Sequence, residues 1–191
     1  MINKGSITLL IILGIVLIIV SPNILNNSQD STILNDCSLE RLEPFTNFRN
    51  CNFSNTDLSK MNLEGINFVS SIFIGANLEG VNLKGAVLDG ANLEGANLKG
   101  ANLKGALLNS SIFKDANLKN SDLSETWAIS TIFVHANLEN VKFNNAHIAG
   151  SDFSSTNLIN TDFTGVNISQ KVEGLEKATW DDCVGFHMCD R

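Results

Sequence analysis

The constraint that decides most about this chain is a five-residue period. From Thr46 to Gln170 it divides into 25 consecutive blocks without an insertion, beginning TNFRN, CNFSN, TDLSK, MNLEG and ending VNISQ. The third position of each block is Leu, Phe or Ile in 24 of the 25, Ala128 being the exception. The first position is mostly small, the second is Asn or Asp in 17 blocks, and the fifth is Gly or Asn in 16. In an extended segment positions one and three point the same way, so a small and a large side chain share one interior. Gly or Asn at position five supplies the positive φ that a type II turn needs at its third residue. A turn every five residues is too frequent for helices or ordinary strands, so the chain must coil into a solenoid of very short strands.

The blocks ANLEG, ANLKG and ANLKG (Ala91 to Gly105) resemble the A(D/N)LxG signature of the pentapeptide repeat family. The register holds over 125 of 191 residues. The resemblance implies an all-β fold, a right-handed quadrilateral β-helix with four repeats per coil and the central Leu or Phe inside. It implies no catalytic residues.

Four repeats per coil is testable on the sequence itself, because residues 20 apart should then stack. Leu58, Leu78, Leu98, Leu118, Leu138 and Leu158 form one such column. Phe53, Phe73, Phe113, Phe133 and Phe153 form another, broken only by Leu93. Like on like at this step is a packing signal, since identical side chains stack well in parallel ladders. Twenty-five blocks make about six coils, a rod roughly 30 Å long at ~4.8 Å per stacked strand. At position four the same step sets Glu64 by Lys84, Glu79 by Lys99, Glu94 by Lys114 and Lys119 by Glu139. It also sets Lys84 by Lys104 and Lys99 by Lys119, which opposes the register weakly.

The flanks leave the period. Residues 1–25 are expected to be a signal peptide or membrane anchor, because Ser6 to Val20 is an apolar run preceded only by Lys4. Fifteen residues is short of the ~20 that span a bilayer unless residues 21–25 join them. Lys4 on one side, with Asp30 and Asp36 on the other, places the rest of the chain outside. The expected location is therefore the periplasm or a lumen, either anchored by residues 6–25 or soluble after cleavage. Residues 26–45 read as linker and N-terminal cap, and 171–191 as C-terminal cap, since an open β-helix leaves strand edges unpaired. Within the first, CSLER (Cys37–Arg41) resembles a stray repeat shifted in phase. The four cysteines, Cys37, Cys51, Cys183 and Cys189, are candidate disulfide partners in an oxidising compartment, with three connectivities open. Cys37 with Cys51 and Cys183 with Cys189 is the pairing that closes the shortest loops. The tail Cys183-x3-His187-x-Cys189 leaves a disulfide, a Cys/His metal site and free thiols as alternatives.

Chemistry is sparse. Gly80 and Gly85 have the spacing of a phosphate loop, but Ala86-Val87 stands where Lys and Ser/Thr are required. His135 and His147 have no nucleophile pairing that the sequence establishes. No cofactor or metal is expected, and no enzymatic activity. A net charge of −7 gives no footprint for nucleic acid. The informative departure is on the outside, at positions two and four. One face carries Val69, Val87, Leu107, Trp127 and Ile129, and its neighbour Ile72, Ile74, Ile112, Ile132 and Val134; the other two faces carry only Ile159. Ten against one reads as a contiguous apolar stripe, the candidate partner-binding surface. A terminal segment of the chain, a homodimer seam, a foreign protein or a membrane surface are its possible occupants. The reading that follows is a non-enzymatic, exported β-helical scaffold that binds a protein partner or itself. The alternative is a DNA-mimicking topoisomerase inhibitor, an activity known in the family, which needs a strongly negative rod. Residues 46–170 hold 11 acids against eight bases.

Overall fold

A computed structural model describes residues 11, 12, 15, 16, 37–179 and 181–185. The chain divides into two compact units, Met1–Leu34 and Asn35–Arg191. In the first, two-residue strands β1 (Ile11–Ile12) and β2 (Ile15–Val16) pair antiparallel. The rest of residues 1–25, expected as a signal peptide or membrane anchor, and residues 26–36 of the expected linker lie outside the described residues. Among the described residues no helix is long and apolar enough to cross a membrane.

The second unit is a right-handed quadrilateral β-helix. Parallel bridges join every position-two residue to the one 20 further on, from Asn47–Asn67 to His147–Asn167. The wiring repeats. The N–H of Asn97 donates to the Ala76 carbonyl in the coil before, and the N–H groups of Leu98 and Gly100 donate to Asn117 and Lys119 in the coil after. Between strands, the N–H of Ala101 closes a turn onto the Leu98 carbonyl at 2.9 Å. Position five is left-handed in every block but the last, with φ of 68° at Gly100 and 63° at Asn120. This is the type II turn that the Gly/Asn column requires.

Positions one and three fill the interior. The Leu58-to-Leu158 column is at most 1% exposed. Phe133 lies between Phe113 and Phe153, with ring centroids 5.3 and 5.0 Å away. Each such side chain contributes about 1.5–3 kcal/mol through burial. Ser and Thr at position one are tolerated inside where their hydroxyls donate to carbonyls, as Thr126 does to Leu123 and Thr161 to Leu138, both at 2.8 Å. Among the described residues the buried Ser121 hydroxyl is the exception, with no partner.

At the amino-terminal end the stray-repeat reading of CSLER fails. Leu39, its would-be inward centre, is 47% exposed, and Leu42 is the buried residue. Leu39–Arg41 is a turn of 3-10 helix whose i→i+3 bonds end at Leu42, before Pro44. That geometry is too tight for a five-residue block of the coil. The repeat's wiring begins at Phe45, left-handed at φ 61° and donating to Glu64. At the other end Glu173, Thr179 and Val184 pair with Asp152, Asn157 and Asp162, at steps of 21, 22 and 22 residues. The cap is thus one further, loosened coil, and Leu175 is buried within it.

Candidate interaction site

The coil sets the ten outward apolar residues on two neighbouring faces, but not as one stripe. On the Trp127 face the ladder runs Asn67, Val87, Leu107, Trp127, His147. Trp127 stacks on His147, centroids 4.1 Å apart and planes 12° from parallel. The two stack along the rod axis, so the rings present edges to solvent and offer no open aromatic platform. Beside them at position four, Ile129 follows Asn109, whose Oδ1 accepts the Ile129 N–H at 3.2 Å. Asn109 in turn donates to Asp89.

On the Ile132 face the ladder runs Asn52, Ile72, Asn92, Ile112, Ile132, Asp152. Position four adds Ile74 and Val134, separated by Glu94 and Lys114, which pair at 2.8 Å. The hydrogen bond to Glu94 raises the Lys114 pKa above the usual lysine range. Asn92 and this ion pair divide the apolar residues into two clusters. Val69, Ile72 and Ile74 lie toward the amino end; Val87, Leu107, Ile112, Trp127, Ile129, Ile132 and Val134 lie in the middle coils. Trp127 (45%), Ile74 (42%), Ile72 and Ile132 (both 37%) are the most exposed of the ten.

The other two faces are self-satisfied. Asn97 donates from Nδ2 to Asn77 Oδ1 at 3.2 Å, while its own Oδ1 accepts from Asn117 Nδ2 and from the Lys99 backbone N–H. The same bond to the N–H two residues on recurs at Asn62, Asn82, Asp122 and Asn157, an Asx turn inside every such block. The position-two Asn/Asp column does not by itself announce this bond, although Asx two residues before a turn is its signal. At Asp57 the Ser59 N–H, then the Ser59 hydroxyl, hold the carboxyl below its usual range. The charged position-four residues pair as the 20-residue step anticipates: Lys84–Glu64 at 3.4 Å, Lys99–Glu79 at 3.9 Å and Lys119–Glu139 at 2.8 Å. The like-charged stacks are relieved because each lysine takes its own acid, Lys104 turning to Glu125.

His135 reaches Asp115 at 3.3 Å on the surface, and among the described residues no three His, Cys, Asp or Glu side chains cluster as metal ligands. Cys37 and Cys51 form a disulfide. Cys183 is also disulfide-bonded; Cys189 and His187 lie outside the described residues.

The pentapeptide repeat region matches residues 46–123, and pentapeptide repeats in eight copies match residues 131–170. The chain belongs to the pentapeptide repeat family. No curated protein matches it. Among solved structures this pentapeptide repeat protein is similar to QnrB1, a plasmid-mediated fluoroquinolone resistance protein, at 17% identity. That match covers 76% of this chain and 82% of QnrB1, with a TM-score of 0.39. It is similar to a pentapeptide repeat protein of the cyanobacterium Cyanothece 51142 at 23% identity, over 71% of this chain and 91% of that one, TM-score 0.34. It also resembles HetL of the cyanobacterium Nostoc, involved in heterocyst differentiation regulation, at 23% identity over 72% and 76%, TM-score 0.26.

Proposed function

We propose that this pentapeptide repeat protein is a non-enzymatic, exported scaffold that binds a protein partner through the Trp127 and Ile132 faces. The observation that carries this is the contrast between faces. The Asn97 ladder uses its hydrogen-bonding groups on itself, whereas Trp127, Ile72, Ile74 and Ile132 hold apolar surface in water. Exposed apolar clusters of this kind mark binding surfaces, and tryptophan is enriched where binding energy concentrates. Export is supported by the apolar run at residues 6–20 and by the Cys37–Cys51 disulfide, a bond that persists in oxidising compartments.

Trp127→Asp and Ile132→Asp, each verified as folded by circular dichroism, are expected to reduce partner capture or self-association. Wild-type behaviour in both removes the reading. Fractionation of the native protein with intact-mass measurement tests export, leader cleavage and disulfide state together.

A further inference from the structure

The Ile132 face is self-complementary when turned end for end. Consider a two-fold axis lying across that face, midway between the rung of Asn92 and the rung of Ile112. It sets two rods side by side with opposite directions and brings each outward column against itself. Ile72 of one copy then faces Ile132 of the other, and Ile74 faces Val134. The two central rungs bring Glu94 of one copy onto Lys114 of the other, twice by symmetry. Within one chain these two side chains already pair at 2.8 Å, so the contact would close a ring of four alternating charges. Asn92 opposite Ile112 is the mixed pair. The same operation on the adjacent Asn97 face sets Glu79 on Glu139 and Lys99 on Lys119, like charge on like.

We infer that two copies of this chain associate through the Ile132 face, antiparallel, with Ile72 against Ile132 and Glu94 against Lys114. This rests on the reading that the apolar faces bind protein, and it names a second copy as the partner of one of them. Isologous contacts of this type pair residue i with j and j with i. The face is roughly 30 Å tall and about four extended residues wide, on the order of 400 Å² per copy. Stable dimers bury about 800 Å² per partner. The association is therefore weak and concentration-dependent, and the Trp127 face stays open on both copies.

The test uses the full chain. Ile72→Cys and Ile132→Cys are made separately, mixed and oxidised. The mixed disulfide is expected to form about tenfold faster than either like-with-like disulfide, because only that pair lies directly opposite across the seam, while the like pairs are offset by three coils, roughly 14 Å along the rods at ~4.8 Å per coil. Glu94→Lys and Lys114→Glu alone are each expected to sediment as monomers, and an equimolar mixture of the two to recover the dimer. Equal rates for all three disulfides, or charge-reversed variants that sediment as wild type, overturn the inference. Trp127→Asp separates it from the broader reading. Loss of partner capture in that variant, with no preferred Ile72–Ile132 cross-link, overturns the dimer and leaves the scaffold. A preferred cross-link with Trp127→Asp indifferent supports the dimer and overturns partner binding by the Trp127 face.

Discussion

The indole of Trp127 lies face to face with the imidazole of His147 in the next coil, ring centroids 4.1 Å apart. Ladder pairing between the two residues sets that distance, since their backbones form a parallel bridge. An aromatic pair of this geometry contributes about 0.5–1.5 kcal/mol beyond the area it buries. His147→Ala should therefore cost about 1 kcal/mol in denaturant unfolding and move tryptophan emission to the red, as one indole face meets water. A variant with unchanged emission shows that the stack does not persist in solution.

Position five offers a cleaner experiment. Asn120, Asn140 and Asn160 form a corner ladder, with Asn140 and Asn160 donating from Nδ2 to the Oδ1 one coil before at 2.9 and 3.0 Å. Gly100 is the next rung, left-handed at φ 68° with open space around a would-be Cβ. Asparagine tolerates that conformation and a β-branched residue does not. Gly100→Asn is expected to be neutral or to stabilise by up to about 1 kcal/mol through one more ladder bond. Gly100→Val should cost roughly 1–3 kcal/mol. Thermal unfolding of the pair gives the comparison, and equal losses would refute the ladder argument.

These two sites show where the sequence was legible. The interior columns could be read because a 20-residue step leaves each side chain only its own kind to pack on, so Leu98 and Leu118 declare the coil by themselves. Apolar residues outside could be placed on a face for the same reason. Their interruption follows from the same step, since Ile74, Glu94, Lys114 and Val134 share one position-four column, but a tally of apolar residues by face does not show it. At the cap the periodic signal failed. Leu39 fits the block pattern, yet the 3-10 turn and Pro44 hand its place to Leu42. No neighbour at ±20 constrains a cap, so local geometry decides it.

The Cys37–Cys51 bond ties that cap to the first coil across 14 residues, and Cys51 is itself a buried position-one residue. Closing a loop of that length stabilises by about 3 kcal/mol through the unfolded chain. Replacing both cysteines by alanine should lower stability by that order. Hydrogen exchange should rise first at the Phe45 amide and the first coil, with the Leu98 and Leu118 amides protected as before. Uniform loss of protection along the rod would show that the cap is not a separate unit of stability.

Asp162 links the last regular coil to pH. Burial acts to raise its pKa, but bonds from Thr164 and Asn144 and the charge of Lys142 outweigh it, and the net shift is downward. Asn144 Nδ2 donates to one carboxylate oxygen at 2.6 Å and the Thr164 N–H to the other at 2.9 Å. A carboxyl depressed in the folded state binds fewer protons there than in the unfolded chain near pH 4. Its contribution is thus fully present above the unfolded value of about 3.9 and is lost as pH falls through the lower folded value. Asp162→Asn keeps the bond to the Thr164 N–H but cannot titrate. Its stability should fall less steeply than wild type between about pH 4 and pH 2, with a smaller stability at neutral pH. Urea midpoints at both pH values measure this, and parallel curves for the two proteins would show that Asp162 carries no acid sensitivity.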